Sequence, residues 1–156
     1  MKTNYNSPVG NIVITYSEKK IISVLKQKKV KTLDKLSQPA QELIQCFEDY
    51  FAGNLQKLYK FPVSKLELNG TEFQKKVWKE LKKIKPDQTS NYSKLAEKVK
   101  SPKAYRAVGS AVGKNPFFIL LPCHRVLGKN KTLCGFAYGT SVKKKLLVHE
   151  DLEFIA

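Results

Sequence analysis

Five large apolar residues in a row, Phe117-Phe118-Ile119-Leu120-Leu121, run straight into Pro122-Cys123-His124-Arg125-Val126. A run of that length suits a buried strand or a buried extended segment, so the fold must build a core around it. Proline then fixes the backbone direction and leaves Cys123 at the end of a rigid element, where reactive groups are best held. A cysteine after such a run commonly serves as a small core residue. A histidine and an arginine beside it are expensive to bury without partners, and that points to chemistry. The 156 residues include only two histidines and two arginines, and this stretch takes one of each.

The length allows one domain or two small ones. Hydrophobic residues make up 42%, enough for a core, and no segment approaches a membrane span. The opening residues 1–6 lack the apolar stretch of a secretion signal. Cys46, Cys123 and Cys134 show no metal-ligand spacing, and their odd number argues against a disulfide scaffold. The expectation is a reduced, cytoplasmic protein with a free thiol and neither metal nor cofactor. A net charge of +16 calls for a polyanionic partner, with nucleic acid the first candidate. The lysines are spread along the whole chain, however, and a lysine-biased proteome would give the same total. The arginines at 106 and 125 say more, because lysine cannot replace a planar, multi-donor head.

Taken in order, Ile12–Tyr16 and Ile21–Leu25 flank the polar turn Ser17–Lys20 and read as a hairpin, with Val30 as the start of a third strand. Apolar residues at 40, 43, 44, 47, 50 and 51 trace one face of a helix closed by Gly53. Cys46 lies beside that stripe as a structural thiol. Residues 60–69 read as a linker. Thr71 and Gln74 form a capping box for a helix whose apolar face is Phe73, Val77, Trp78 and Leu81, with lysines 75, 76, 79, 82 and 83 in water. Residues 85–88 are a turn. Two short helices follow, residues 92–100 and one begun by Ser101-Pro102 that runs to Gly113, as a helix-turn-helix. On the second, Ala104, Val108, Ala111 and Val112 share a face, while Arg106 points away among Gly109, Ser110 and Gly113. An outer face of small residues with one arginine lets a helix lie close against a nucleic-acid groove. Residues 129–131 are a loop tip, and Val142, Leu146 and Leu147 define a last helix carrying His149 and Glu150.

The string Pro122–Val126 resembles the active-site signature of the O6-alkylguanine-DNA alkyltransferases. Matching stretches lie on both sides: Gly70–Trp78, Arg106–Ala111, Asn115-Pro116, Gly135–Gly139 and Leu146–Glu150, in the family's order and spacing. The first 66 residues resemble the family in outline, through Ser7–Gly10 and Asp49–Gly53. The resemblance implies an α/β (α+β) fold: a small N-terminal sheet-and-helix domain with its linker over residues 1–66, then a mainly helical domain with the helix-turn-helix over 67–156. It implies a monomer that binds double-stranded DNA containing O6-alkylguanine, with no membrane partner. Cys123 would take the alkyl group irreversibly, once per molecule.

The resemblance also assigns roles. Cys123 would be activated through a water by His124, which Glu150 orients, with Asn115 bracing the adjacent turn. Tyr92 would give its hydroxyl proton to the departing base. Val112, Val126, Phe136, Ala137 and Tyr138 would surround the base, and Tyr92, Arg106, Gly109, Ser110 and Lys114 would meet DNA. Arg106 would fill the stack left by a flipped nucleotide. His149 belongs to structure or surface, and Cys134 reads as structural. Asn91 stands where Ser or Thr usually precedes the tyrosine, Lys85-Pro86-Asp87 replaces a proline-x-glycine turn, and Phe136 replaces a common tyrosine. Two other readings stay open: a non-catalytic DNA-binding module, and a cysteine hydrolase using Cys123 and His124.

Overall fold

The structure is a computed structural model and describes residues 1–32 and 35–156. By their internal contacts these residues form two units, Met1–Leu68 with Pro116–Leu120, and Asn69–Asn115 with Leu121–Ala156. No helix among the described residues is long and apolar enough to cross a membrane.

In the first unit, β-branched residues dominate the middle strand of a three-stranded antiparallel sheet. β1 (Lys2–Ser7), β2 (Gly10–Tyr16) and β3 (Ile21–Lys26) lie in the order β1-β2-β3. The expected hairpin is β2–β3. The third strand is not at Val30 but at the chain's start, where the polar string KTNYNS gives only a weak alternation. Val30 sits in a loop instead. The amide side chain of Asn4 takes both its backbone groups, accepting from Val30 N at 3.0 Å and donating to Val30 O at 2.8 Å, so it substitutes for a strand partner.

α1 (Gln38–Phe51) begins at Ser37, whose hydroxyl accepts from Ala40 N, and ends before Gly53 at φ 104°, the left-handed conformation that suits glycine. Leu43, Phe47 and Tyr50 are fully buried, and Tyr5 of β1 stacks on Phe47 with ring centres 5.5 Å apart. α2 (Gln56–Lys60) and a 3-10 turn (Val63–Lys65) follow. The expected linker is therefore partly structured: Leu66 is buried, and Glu67 N donates to Ile21 O at 2.8 Å.

The apolar run is not a strand. Val24 N donates to Pro116 O and Phe118 N to Val24 O, each at 2.8 Å, so one residue, Phe117, bridges to β3 before the chain turns. Ile119 sits at φ 67° while almost fully buried. A left-handed β-branched residue costs about 1–2 kcal/mol. Burial of Phe117, Phe118 and Leu120 around it offsets that strain.

The second unit is built on helices. The capping box of Thr71 and Gln74 forms as expected at the start of α3 (Glu72–Lys82). Lys82, expected in water, is only 9% exposed, because its position follows Leu81 onto the covered face. β4 (Ser90–Asn91) leads directly into α4 (Tyr92–Lys98), and α5 (Tyr105–Gly113) completes the helix-turn-helix. α3 and α4 both pack on α5, and Trp78 Nε1 donates to Ala111 O at 2.9 Å.

The second helix starts at Tyr105 rather than at Ser101-Pro102. Ser101 is engaged elsewhere: its N–H closes the end of α4 on Ala96 O, and Lys100, at φ 61°, donates to Glu97 O. That pair of bonds is a Schellman stop, so α4 ends before Lys100 and residues 101–103 become a turn. The chain then returns through a 3-10 turn (Cys123–Arg125), β5 (Val126–Leu127), a second 3-10 turn (Lys129–Lys131) and α6 (Thr140–His149). β5 pairs in parallel with β4, Ser90 opposite Val126 and Asn91 opposite Leu127.

Candidate active site

Pro122 halts the extended chain, and Cys123 N folds back onto Leu121 O at 2.7 Å while Arg125 N reaches Pro122 O at 3.0 Å. The resulting tight turn carries Cys123, His124 and Arg125, all buried, in place of the extended backbone expected there. Asn115 pins the turn from its other side, donating from Nδ2 to Leu121 O at 2.8 Å. The β4–β5 pair fixes where the turn leaves. The same pair fixes Tyr92, since Asn91 caps α4 by accepting from Lys94 N at 2.8 Å. Asparagine therefore supplies the cap that Ser or Thr would give.

Glu150 receives two side chains of the turn, His124 and Arg125. Its Oε1 meets His124 Nε2 at 2.8 Å and Arg125 Nη2 at 2.8 Å, and its Oε2 accepts from Arg125 Nε at 2.8 Å. Arg125 Nη1 also donates to Ile84 O at 2.9 Å. The bidentate fork matches the planar guanidinium to the carboxylate. Glu150 is the C-cap of α6, and a Schellman stop with Asp151 at φ 55° holds it there. A carboxylate at that end opposes the helix dipole, so it needs the Arg125 cation and the His124 donor. Burial pushes Glu150 toward the neutral acid, but His124 and Arg125 outweigh it and hold the carboxyl well below the usual range.

His124 is pulled the other way. Complete burial lowers its pKa against the attraction of Glu150, with Arg125 and Lys143 adding to the lowering, so the imidazole is neutral. With Nε2–H donated to Glu150, Nδ1 keeps its lone pair, and it has no hydrogen-bond partner among the described residues. Burial likewise raises the Cys123 thiol, while the Asn115 side chain, Lys143 and the backbone amides of the turn oppose that rise.

Lys143 is a component that sequence reasoning missed. It is fully buried, its Nζ donates to Val126 O at 2.6 Å and to Cys134 O at 3.5 Å, and it lies 5.8 Å from the centre of the Phe136 ring. Burial lowers its pKa against the pull of both nearby thiols. The signal was present. Lys143, Leu146, Leu147 and Glu150 stand at helix spacing i, i+3, i+4, i+7, and all four are buried, whereas Val142 of the expected stripe is half-buried. A lysine on an apolar helix face marks a buried ammonium.

A pocket of about 240 Å³ opens onto Cys123 and is lined by Tyr92, Gly109, Val112, Gly113, Asn115 and Gly135–Tyr138. Of the expected site residues, it brings together Cys123, Asn115, Tyr92, Gly109, Val112, Phe136, Ala137 and Tyr138. The Tyr138 and Phe136 rings meet edge-on, 5.9 Å apart. His124 and Glu150 lie off the pocket, and Val126 gives its carbonyl to Lys143. Arg106, Ser110 and Lys114 are exposed on α5 and its end, away from the pocket lining, and His149 is exposed on α6.

Two family models match the chain in series: 6-O-methylguanine DNA methyltransferase, ribonuclease-like domain, over residues 1–65, and the DNA binding domain of the same family over residues 72–152. A methylated-DNA–protein-cysteine methyltransferase of Haemophilus influenzae is 38% identical, over 98% of this chain and 87% of that protein. One from Methanosarcina acetivorans is 40% identical, over 92% and 93% respectively. The crystal structure of Mycobacterium tuberculosis OGT in complex with DNA superposes with a TM-score of 0.81 at 33% identity, covering 94% of this chain and 90% of that one. The chain belongs to the 6-O-methylguanine DNA methyltransferase family. Its fold is the expected mixture, a sheet-and-helix N-terminal part and a mainly helical C-terminal part.

Removing one partner of a buried ion pair costs about 3–5 kcal/mol, so Glu150→Gln lowers the unfolding free energy by roughly that amount at neutral pH. A depressed carboxyl contributes fully above its unfolded pKa of about 4.3 and loses that contribution as pH falls further. In urea titrations, the gap between wild type and variant therefore narrows below that pH. A gap that stays constant into acid would place the Glu150 charge outside the fold's stability.

Proposed function

We propose that the protein repairs O6-alkylated guanine in double-stranded DNA by moving the alkyl group to Cys123, once per molecule, in the cytoplasm. The observation that carries this reading is the thiol of Cys123 at a pocket with a neutral, Glu150-bound histidine beside it. Three free cysteines suit a reducing compartment. The net charge of +16 suits a polyanionic duplex.

The target carbon is inaccessible inside a base stack, so the nucleotide leaves the helix at a cost of a few kcal/mol. Arg106, exposed on α5 with Ser110 and Gly113, fills the gap, and Lys114 contacts phosphate. Gly109 and Gly113 leave room for close approach, while Val112 and Phe136 hold the flipped base. The carbonyls of Cys123 and Val126 read its exocyclic amine. Lys143 also donates to the Val126 oxygen, a carbonyl with two lone pairs. The Ala137 amide meets O6.

His124 Nδ1 takes the Cys123 proton through one water, a reach general-base catalysis permits. The thiolate sulfur then bonds to the alkyl carbon while the carbon–O6 bond breaks, its electron pair passing to guanine. Tyr92 protonates the departing base. Burial raises the Tyr92 pKa, and Cys134 and Cys123 add to the rise, so the phenol is neutral and carries its proton. The product is a thioether, which no thiol exchange reverses.

Duplex DNA carrying O6-methylguanine labelled on the methyl group tests this directly. Label appears on the Cys123 peptide and plateaus at about one methyl per protein, the stoichiometry of an irreversible thioether. Cys123→Ala takes up none while still binding DNA. Label on Cys46 or Cys134, or repeated turnover as in a hydrolase, overturns the reading.

Pocket size sets a further expectation. Tyr138, braced by Phe136, occupies the wall that a bulky substituent needs. Overpacking a rigid site costs about 1–3 kcal/mol, or roughly one to two decades in rate. O6-benzylguanine therefore reacts slowly relative to O6-methylguanine in DNA, and Tyr138→Gly shifts the ratio of single-turnover rates toward benzyl. An unchanged ratio removes Tyr138 from the wall.

A further inference from the structure

Cys134 was expected to be structural, yet it links two groups at the site. Its Sγ lies 3.6 Å from the Tyr92 hydroxyl and 3.9 Å from Lys143 Nζ. Lys143 can only donate, because an ammonium has no acceptor. It donates to Val126 O and Cys134 O and offers a further proton to Cys134 Sγ. A sulfur that accepts from the ammonium keeps its own S–H to give. Between Cys134 and Tyr92 either atom could be the donor, and the Lys143 contact leaves the thiol hydrogen available to be given.

We propose that Cys134 is a positioning residue for alkyl transfer, receiving a proton from Lys143 and donating its thiol hydrogen to the Tyr92 oxygen. The phenolic hydrogen is then the one left free, aimed into the pocket where a base would sit. Tyr92 is also the pocket-lining member of the trio, and its ring packs over Gly109, where an added Cβ would lie 3.7 Å from Tyr92 Cδ1. With the ring held by α5 and the oxygen held by sulfur, the hydroxyl has little rotational freedom. Without Cys134, nothing in the chain Lys143–Cys134–Tyr92 prevents the phenol from turning its hydrogen away from the pocket.

The proton balance closes along the same line. Tyr92 gives its proton to guanine as the carbon–O6 bond breaks, Cys134 replaces it, and Lys143 replaces that of Cys134. The net change is one proton from the buried ammonium to the leaving base. A fully buried ammonium whose pKa is lowered gives up that proton more readily than a solvated one. Serine would preserve the sense of the chain, since a hydroxyl both accepts and donates. Alanine would cut it.

This inference rests on the alkyl-transfer reading, and the experiment separates the two. Single-turnover transfer from O6-methylguanine duplex DNA is measured for wild type, Cys134→Ala, Cys134→Ser, Tyr92→Phe and the Tyr92→Phe/Cys134→Ala double variant. If wild type transfers nothing to Cys123, the alkyl-transfer reading itself has failed. If it transfers, Cys134→Ala is expected to be slower by about tenfold, less than the roughly 10²–10⁴-fold of a direct proton donor because Cys134 acts only through Tyr92. Cys134→Ser recovers most of that loss. In the Tyr92→Phe background, Cys134→Ala has no further effect, because its action runs through the hydroxyl. A Cys134→Ala rate equal to wild type overturns the proposal. So does the same fractional loss in both backgrounds, which a merely structural role would give. Thermal unfolding of each variant shows whether a loss of folded protein accounts for the rates. If Cys134→Ala does not fold, Cys134→Ser against Cys134→Val decides, with equal rates for both overturning the proposal.

Discussion

The carboxylate of Glu150 is the constraint on which the geometry of the Cys123 turn depends. It is almost fully buried, sits at the unfavourable end of a helix dipole, and accepts from His124 and twice from Arg125. Taken alone, a buried ion pair is weak evidence of stability, because desolvation consumes much of the attraction. Its value here is geometric. Arg125 ties the Cys123 turn to α6 through Glu150 and to the end of α3 through Ile84 O, and His124 is left in one tautomer. Once Glu150 is in place, the proton of the imidazole is held on Nε2.

Around the pocket, burial and charge pull the titratable groups apart. Burial raises Cys123 and Tyr92 and lowers His124 and Lys143, so at neutral pH the phenol keeps its proton and the imidazole is neutral. Such separation is how one site assigns acid and base roles. The thiol is not an activated nucleophile at rest. Asn115, Lys143 and the turn's amides lower the cost of its anion. A thiol kept protonated until a base arrives is also a poorer target for oxidation, since reactivity follows the thiolate.

Much of this was legible in the sequence. Pro122–Val126 located the thiol, the capping box at Thr71 held to the atom, and the spacing of residues 92–113 gave the helix-turn-helix. What was not legible had physical causes. β1 carries the polar Asn4, whose side chain bonds Val30 and accepts from Asn11 of β2, so period-two patterning is faint. The apolar run 117–121 looked like a strand because hydrophobicity reports burial and not backbone angle, and Ile119 bends where a β-branched residue rarely does. β4 and β5 are two residues each, too short to carry a pattern. Lys143 was hidden among its neighbours Lys144 and Lys145, which are exposed. Only its phase with Leu146 and Glu150 separates it from them.

The central claim is that Glu150 holds His124 neutral, with its proton on Nε2 and none on Nδ1. Nitrogen NMR of the imidazole, in a His149→Gln variant that leaves a single histidine, reads that state directly. The account predicts a protonated Nε2 and an unprotonated Nδ1 at neutral pH, with the ring still neutral as the pH falls below about 6.5, where a free histidine charges. An imidazolium at neutral pH, or a proton resident on Nδ1, would contradict it.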